Sequence, residues 1–403
     1  MPSSERIHIA FFGARNAGKS SLVNAITNQE LSIVSDIPGT TTDPVKKSME
    51  LLPLGPICII DTPGIDDEGE LGEKRIERTY DVLDKTDIAI LVSDAMGSLK
   101  QTIAESKLKE MFKEKNIPYI IVQNKIDLVP NNIKEMIKAE VLDNEILVSA
   151  KTGENIDLLK HKIGLIIPEK QKVRKLISDF VDTADTVVLV TPIDESAPKG
   201  RIILPQQMVL REILDLGATA IVCQPNQLKQ TLANINVKPK LVITDSQVFA
   251  EVDKMVTYDI PLTSFSILMA RYKGNLDIVV RGAKALASLK TGDRVLISEG
   301  CTHHRQCNDI GSVKMPNWIE EYTGAKLVYE YTSGQTFVKK PEEYKLIIHC
   351  GGCMLGDKEV SNRLDICEKA NVPIVNYGVA IAQMKGILCR ALALFPETAQ
   401  LLD

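Results

Sequence analysis

Much that would mark a specialised chain is missing from these 403 residues. Basic residues do not cluster: 48 Lys and Arg against 53 Asp and Glu leave a formal net charge of -5, spread along the chain. A surface whose main business is nucleic acid needs a basic patch, so the charge pattern argues against one. No apolar run can cross a bilayer. The most apolar late stretch, Tyr377 to Pro396, is interrupted by Lys385 and Arg390 and reads as a buried helix. Met1 to Arg6 leads straight into a strand-like run and offers no signal peptide, so a cytoplasmic protein is expected, with no membrane partner. Eight cysteines are too few for a disulfide scaffold at this length. Internal repeats and low-complexity segments are also missing.

What is present is a globular composition, 44% hydrophobic and 25% charged, in a chain too long for one ordinary core. From residue 6 to about 170, apolar runs at Ile7–Phe12, Ile57–Ile60, Ile88–Val92, Tyr119–Val122 and Glu145–Val148 alternate with helical patterns. Strands alternating with helices predict a parallel sheet covered on both faces. Lys170 to Lys175 is a charged junction. A second alternating block has strands at Thr186–Val190, Thr219–Val222 and Lys240–Ile243, with helices at Pro205–Leu216, Asn226–Asn234 and Ser246–Met255. It lacks any catalytic constellation and reads as an assembly module. A third block begins near Ser264. Its helices are expected at Leu276–Leu289, Asn317–Tyr322, Lys358–Lys369 and Val379–Leu394, and its strands at Arg294–Ile297, Lys326–Tyr331, Tyr344–Ile348 and Val372–Asn376. The expectation is therefore an α/β protein of three domains, 1–170, 175–263 and 264–403, the last two small and built on parallel sheets.

Gly13-Ala14-Arg15-Asn16-Ala17-Gly18-Lys19-Ser20 fits a phosphate-binding loop and lies between a strand and the helical run Ser20–Thr27, which also holds Ser21. Such a loop turns successive N–H groups and a helix amino terminus toward the phosphates. Lys19 would reach the β- and γ-phosphates, and the Ser20 hydroxyl would bind Mg²⁺. Three more motifs follow in order, each after a strand. Asp61-Thr62-Pro63-Gly64 would put a carboxylate beside the metal and the Gly64 N–H near the γ-phosphate. In Asn124-Lys125-Ile126-Asp127, the Asp127 carboxylate can accept both the N1 proton and the exocyclic amine of guanine, a pair adenine cannot supply. Ser149-Ala150-Lys151 would offer backbone to the guanine 6-oxygen. Together they specify a P-loop domain that binds GTP and GDP with Mg²⁺.

Gly39-Thr40-Thr41-Thr42-Asp43, between the first two motifs, resembles the Era and tRNA-modification (MnmE-like) GTPases, whose motif reads Gly-Thr-Thr. The resemblance implies that Thr41 is the mobile Mg²⁺ ligand, with Thr40 and Thr42 as neighbours able to take its place. It also implies that Asn16 helps hold a K⁺ ion. Ile65 stands where many GTPases place a water-orienting glutamine, and it cannot polarise water. Hydrolysis should therefore be slow, about 10⁻⁴ to 10⁻² s⁻¹ as in unassisted relatives. Lys19, Thr41, Asn16 and Gly64 are the residues expected to act on the γ-phosphate.

Cys58, Cys223 and Cys389 lie in apolar runs and read as small core residues. Cys301-Thr302-His303-His304 and His349-Cys350-Gly351-Gly352-Cys353 are different, since each follows a strand of the third block. In one parallel sheet both loops would emerge at the carboxyl edge, the usual ligand crevice. Zinc in a tetrahedron and an iron–sulfur cluster both suit this set, and spacing alone does not choose between them.

An Era-like GTPase followed by a small α/β module and a Cys-x-His … His-Cys-x-x-Cys domain is similar to the [FeFe]-hydrogenase maturation GTPases over essentially the whole chain. That resemblance implies a [4Fe–4S] cluster held by Cys301, Cys350 and Cys353, with at most one histidine, His303 or His349, as the fourth ligand. Cys307 lies outside the motif. It implies further a homodimer formed by the middle domain, and a carrier of a transient diiron subcluster built by radical-SAM maturases and passed to apo-hydrogenase. The competing expectation is an Era/MnmE-type GTPase acting in RNA modification or ribosome assembly with a structural zinc site. It calls for a basic domain that residues 175–403 do not offer. A K⁺ ion at Asn16 predicts faster GTP hydrolysis in KCl than in NaCl of equal ionic strength, and equal turnover in the two salts would exclude it.

Overall fold

The computed structural model describes residues 6–27, 45–52, 54–64, 79, 81–96, 99–140, 142–166, 174–193, 202–300, 309–334, 337–352 and 355–402. The chain divides into two compact units, residues 1–172 and 173–403.

The first unit is built on six strands: β1 (Ile7–Phe12), β2 (Val45–Leu51), β3 (Gly55–Asp61), β4 (Ile88–Asp94), β5 (Tyr119–Asn124) and β6 (Glu145–Leu147). They lie in the order β2-β3-β1-β4-β5-β6. All pairs are parallel except β2 with β3. β1 is central and buried on both faces. Ile9 and Phe11 pack with Leu22, Val23 and Ile26 of the helix Lys19–Thr27, whereas Ala10 and Phe12 face the other way, onto Phe112 of the helix Leu99–Glu114. The Phe12 and Phe112 rings stand 5.4 Å apart. β2 was not foreseen: its sequence VKKSMEL carries little apolar signal because, as an edge strand, it leaves Lys46, Ser48 and Glu50 exposed.

The second unit holds two wholly parallel four-stranded sheets. One, in the order β10-β9-β7-β8, is made of β7 (Thr186–Val190), β8 (Thr219–Cys223), β9 (Leu241–Thr244) and β10 (Leu262–Ser264). The other, in the order β12-β11-β13-β14, is made of β11 (Arg294–Ser298), β12 (Val328–Thr332), β13 (Leu346–His349) and β14 (Ile374–Asn376). One continuous hydrophobic core runs through both. A boundary drawn at 263/264 falls inside β10, because Ser264 ends that strand and at once caps the helix Phe265–Tyr272, its Oγ accepting from Ile267 N at 3.3 Å.

Two long helices of the sequence reading are shorter here. Leu276–Ala283 is α-helical, and Lys284–Ser288 tightens into a 3₁₀ turn. Gly282 lets that helix lie against β14, since a Cβ there would stand 1.9 Å from Ile374 O. The closing helix splits into Tyr377–Met384 and Leu388–Ala391 at Gly386, whose φ of +70° stops the first segment. That break leaves Cys389 exposed, not in the core as its apolar neighbours suggest, while Cys58, Cys223 and Cys367 are buried. Among the described residues no helix is long and apolar enough to span a membrane.

In all three sheets the chain reverses its direction of growth at the first strand: β1 has β3 on one side and β4 on the other, β7 has β8 and β9, and β11 has β12 and β13. Such switch points open a crevice at the carboxyl ends of the strands. The opposite end of the first sheet carries a buried ion pair. His8 Nδ1 lies 3.8 Å from Asp87 Oδ2, and the His8 N–H donates to the same oxygen. Burial alone would push the imidazole down, but hydrogen bonds to Asp87 and Cys58 outweigh it and raise the pKa from 6.5 to about 9. A pKa raised by folding stabilises fully below the unfolded value and ceases to stabilise as pH passes the folded one. The melting temperature of the full chain should therefore fall between pH 6.5 and about 9, by a stability change on the order of 3 kcal/mol, and Asp87→Asn should flatten that fall.

Candidate nucleotide and cysteine sites

The phosphate loop leaves β1 at Gly13, with φ of +145°, where a Cβ would stand 2.1 Å from Val92 O. Asn16 is exposed with φ of +60°, and Gly18 has φ of +90°. Left-handed and extended-positive conformations in close succession coil the backbone round a concave space with its N–H groups inward. Lys19 is buried, and its ammonium is drawn into the loop by the carbonyls of Gly13 at 2.9 Å and Ala14 at 2.8 Å. Ser20 Oγ donates to Asp61 Oδ2 at 2.6 Å, so the two side chains expected to share Mg²⁺ already touch. Thr62 Oγ1 donates to Phe11 O, and Gly64 lies against Arg15, where a Cβ would come within 3.0 Å of its backbone. Thr41 lies outside the described residues, as do Ile65, Cys301, His303, Cys307 and Cys353.

On the base side, Asn124 joins three loops. Its Nδ2 donates to Ala17 O at 3.0 Å and its Oδ1 accepts from Ala150 N at 3.1 Å. Gly18 must lack a side chain here, for a Cβ would meet Asn124 Nδ2 at 2.3 Å. Lys125 takes φ of +64°, with its ammonium 2.7 Å from Asp94 Oδ2. Ser149 Oγ donates to Asp127 Oδ1 at 2.7 Å and orients that carboxylate. Lys151 is exposed beside them. The loops after β1, β3, β5 and β6 thus form one connected surface, as the motif order implies.

In the second unit, the β11–β13 register sets Ser298 opposite His349. The chains leave these strands side by side, and the Cys350 N–H continues the ladder to Ser298 O at 3.0 Å. Cys350 Sγ accepts from Gly300 N at 3.0 Å and from Gly352 N at 3.4 Å. Gly300 directly precedes Cys301 and Gly352 directly precedes Cys353, so backbone adjoining both other cysteines converges on one sulfur. Two N–H donors favour the thiolate, the form that ligates metals, and they are the hydrogen bonds a cluster sulfur accepts. The local donor set therefore fits a metal-bound thiolate, whether in an iron–sulfur cluster or at zinc. Among the described residues alone, no three His, Cys, Asp or Glu are arranged around a metal.

His349 is buried, and both ring nitrogens are engaged: Nδ1 stands 2.5 Å from Cys350 O, and Nε2 lies 3.4 Å from Arg363 Nη1. That network assigns the proton to Nδ1. Burial, followed by the Arg363 charge, pushes the pKa down to about 3, so the ring is neutral.

Several side chains here escaped the sequence reading. Arg363 is 2% exposed, donating to Gly334 O, Glu359 Oε1 and Ser298 Oγ. Its signal was available, since Val360, Leu364 and Cys367 form the buried stripe of the helix Asp357–Lys369 and Arg363 sits on that stripe. Glu299, also buried, accepts from Tyr377 Oη at 3.2 Å. A small cavity next to Cys350 is lined by Lys273, Asn275, His349, Arg363 and Asn376.

Comparison with known proteins matches three successive segments of the chain. Residues 8–125 match the model of the 50S ribosome-binding GTPase family. Residues 176–274 match the hydrogen maturase F dimerization domain, and residues 277–394 its tetramerization domain. The chain is similar to a GTPase Der of Wolinella succinogenes, 38% identical over 167 residues, covering 39% of this chain and 35% of that protein. It is 39% identical over 152 residues to a tRNA modification GTPase MnmE of Methylococcus capsulatus, covering 38% of this chain and 32% of that protein. The chain thus spans about a third of these two relatives. A crystal structure of Era with MgGDPNP and a 16S ribosomal RNA fragment superposes with a TM-score of 0.34 at 23% identity, over 54% of this chain and 91% of that one.

Asp127→Ala should remove the preference for GDP over ADP, a loss on the order of 10⁴-fold, read by competition binding. A preference that survives would place guanine recognition elsewhere.

Proposed function

The chain belongs to the hydrogen maturase F family, and from that premise we propose that it is a GTP-hydrolysing scaffold in the maturation of [FeFe]-hydrogenase. It would bind a [4Fe–4S] cluster and carry a diiron subcluster from radical-SAM maturases to apo-hydrogenase. Residues 1–170 hydrolyse GTP with Mg²⁺ at Ser20, Asp61 and Thr41. The middle domain forms the homodimer, and the domain after it carries the cluster. The protein works in the cytoplasm.

The observation that carries this reading is the convergence of the Gly300 and Gly352 N–H groups on Cys350 Sγ. Two loops fifty residues apart in sequence meet at one sulfur, as a three-cysteine ligand set requires. Cys301, Cys350 and Cys353 would be the protein thiolates. With both His349 nitrogens taken up by Cys350 O and Arg363, His303 is the histidine left to complete the set. The cluster would supply an iron atom with a replaceable ligand, to which a diiron unit can attach. The chain's own part is to hold the Cys350 sulfur under two backbone N–H donors and to keep a neutral imidazole and a buried guanidinium behind it.

At the other site, Lys19 and the loop N–H groups hold the phosphates, Ser20 and Asp61 hold the metal, and Asn16 with K⁺ offsets charge on the γ-phosphate. Without a water-orienting glutamine after Gly64, turnover is slow and suits a switch. Action on RNA is the less supported reading, since the residues after the GTPase segment match hydrogen maturase F domains.

Anaerobic reconstitution with iron and sulfide should yield a brown protein with the absorption and EPR of a [4Fe–4S] cluster. Cys301→Ala, Cys350→Ala and Cys353→Ala should each lose it, along with activation of apo-hydrogenase. A colourless protein holding one zinc per chain would defeat the proposal.

A further inference from the structure

A ligand role for the cysteines leaves two neighbouring charges without a purpose. The first is a buried ammonium. The Lys273 side chain is 2% exposed, and its Nζ donates to Gly352 O at 2.7 Å and Leu355 O at 3.0 Å. Gly352 supplies one of the N–H donors to Cys350 Sγ. The Leu355 side chain fills the space beside Gly300, where a Cβ would come within 2.6 Å of Leu355 Cγ. One cation thus anchors both a donor to the Cys350 sulfur and the packing that seats the residue before Cys301.

The second is a carboxylate with one oxygen used and one not. Asp357 opens the helix Asp357–Lys369, and its Oδ2 is 2.5 Å from Arg174 Nη1. Its Oδ1 is buried, makes no hydrogen bond, and lies 3.8 Å from Lys273 Nζ, just beyond bonding distance. Arg174 stands at the start of this unit, directly after the chain that leads in from the GTPase unit. Its guanidinium lies 6.0 Å from the ring centroid of Tyr272, the residue before Lys273.

We propose that Lys273 is the positioning residue of the cysteine loop and that Asp357 is the switch governing its grip. While Arg174 holds Asp357, the Lys273 ammonium stays on the two loop carbonyls. Drawing Arg174 away removes the stronger of the two cations beside this half-buried carboxylate, and Lys273, already 3.8 Å away, is then the described cation toward which it can tighten. The ammonium is then pulled off its best geometry on Gly352 O and Leu355 O, and the grip on those two carbonyls weakens. The consequence for iron rests on the function proposed above; the mechanical part does not.

The test is hydrogen exchange by mass spectrometry on the full iron-free chain, followed in peptides covering residues 350–356. Arg174→Ala should speed exchange there on the order of tenfold, within the range of coupled sites. Asp357→Asn removes the competitor, so it should leave exchange no faster than in the unaltered protein and should suppress the Arg174→Ala effect in the double variant. Lys273→Met should loosen the same peptides, and Lys273→Arg should restore them. Iron loss from reconstituted protein to a ferrous chelator should follow the same ranking. Unchanged exchange in Arg174→Ala, or a double variant as fast as the single one, overturns the switch. If the unaltered protein takes up no iron, the cluster proposal falls and the exchange ranking still decides the switch.

Discussion

The parallel pairing of β11 with β13 is the constraint on which the cysteine site depends. It sets Ser298 beside His349 and sends Glu299-Gly300 and Cys350-Gly351-Gly352 out of the sheet together. Because β12 takes the other side of β11, a crevice opens between the carboxyl ends of β11 and β13. Backbone donors then do what side chains could not do without filling the space. The N–H groups of Gly300 and Gly352 reach the Cys350 sulfur from positions where a Cβ would meet Leu355 Cγ at 2.6 Å and Val360 Cγ2 at 3.2 Å, respectively. Gly352 also takes φ of +63°, a conformation open to glycine at little cost.

The first unit repeats this geometry with a different ligand in view. β1 is the strand at which the sheet reverses its growth, and the phosphate loop leaves its carboxyl end. Gly13, Asn16, Gly18 and Lys125 all hold positive φ around the site. Backbone strain of this kind persists where surrounding contacts over-determine it. Here the over-determination is Asn124, bonded at once to Ala17 O and Ala150 N. A phosphate grip and a base grip assembled from separate loops are thereby held in one register.

Charges are buried around both sites at a cost that packing alone would not require. Arg363 with Glu359, and Lys273 among carbonyls and Asp357, occupy positions where a leucine or methionine would fill the core. Buried ion pairs contribute little net stability, since desolvation offsets most of their attraction. Their value here is geometric. Arg363 links Ser298, His349, Gly334 and Glu359, so the ends of β11 and β13 and the following helix share one planar donor group. Its positive charge and the depth of burial also keep His349 neutral.

The amino-acid sequence by itself determined the α/β class, the parallel strands other than β10, and the identity of the nucleotide motifs. These are local properties: periodicity, glycine placement and residue type at short spacing are complete within a few residues of chain. It did not disclose β2, an edge strand with almost no buried side to write into its pattern, nor the stop at Gly386 that exposes Cys389. A boundary at 263/264 also misread β10, because one serine serves both as strand end and helix cap. Only the tertiary structure decided that Gly300 and Gly352 converge on one sulfur, that Asn124 ties phosphate and base loops together, and that Lys273 and Asp357 stand 3.8 Å apart behind the cysteine loop. Those relations join residues tens to more than a hundred positions apart. They exist only because strand order and register bring chain ends together, and no local pattern records either.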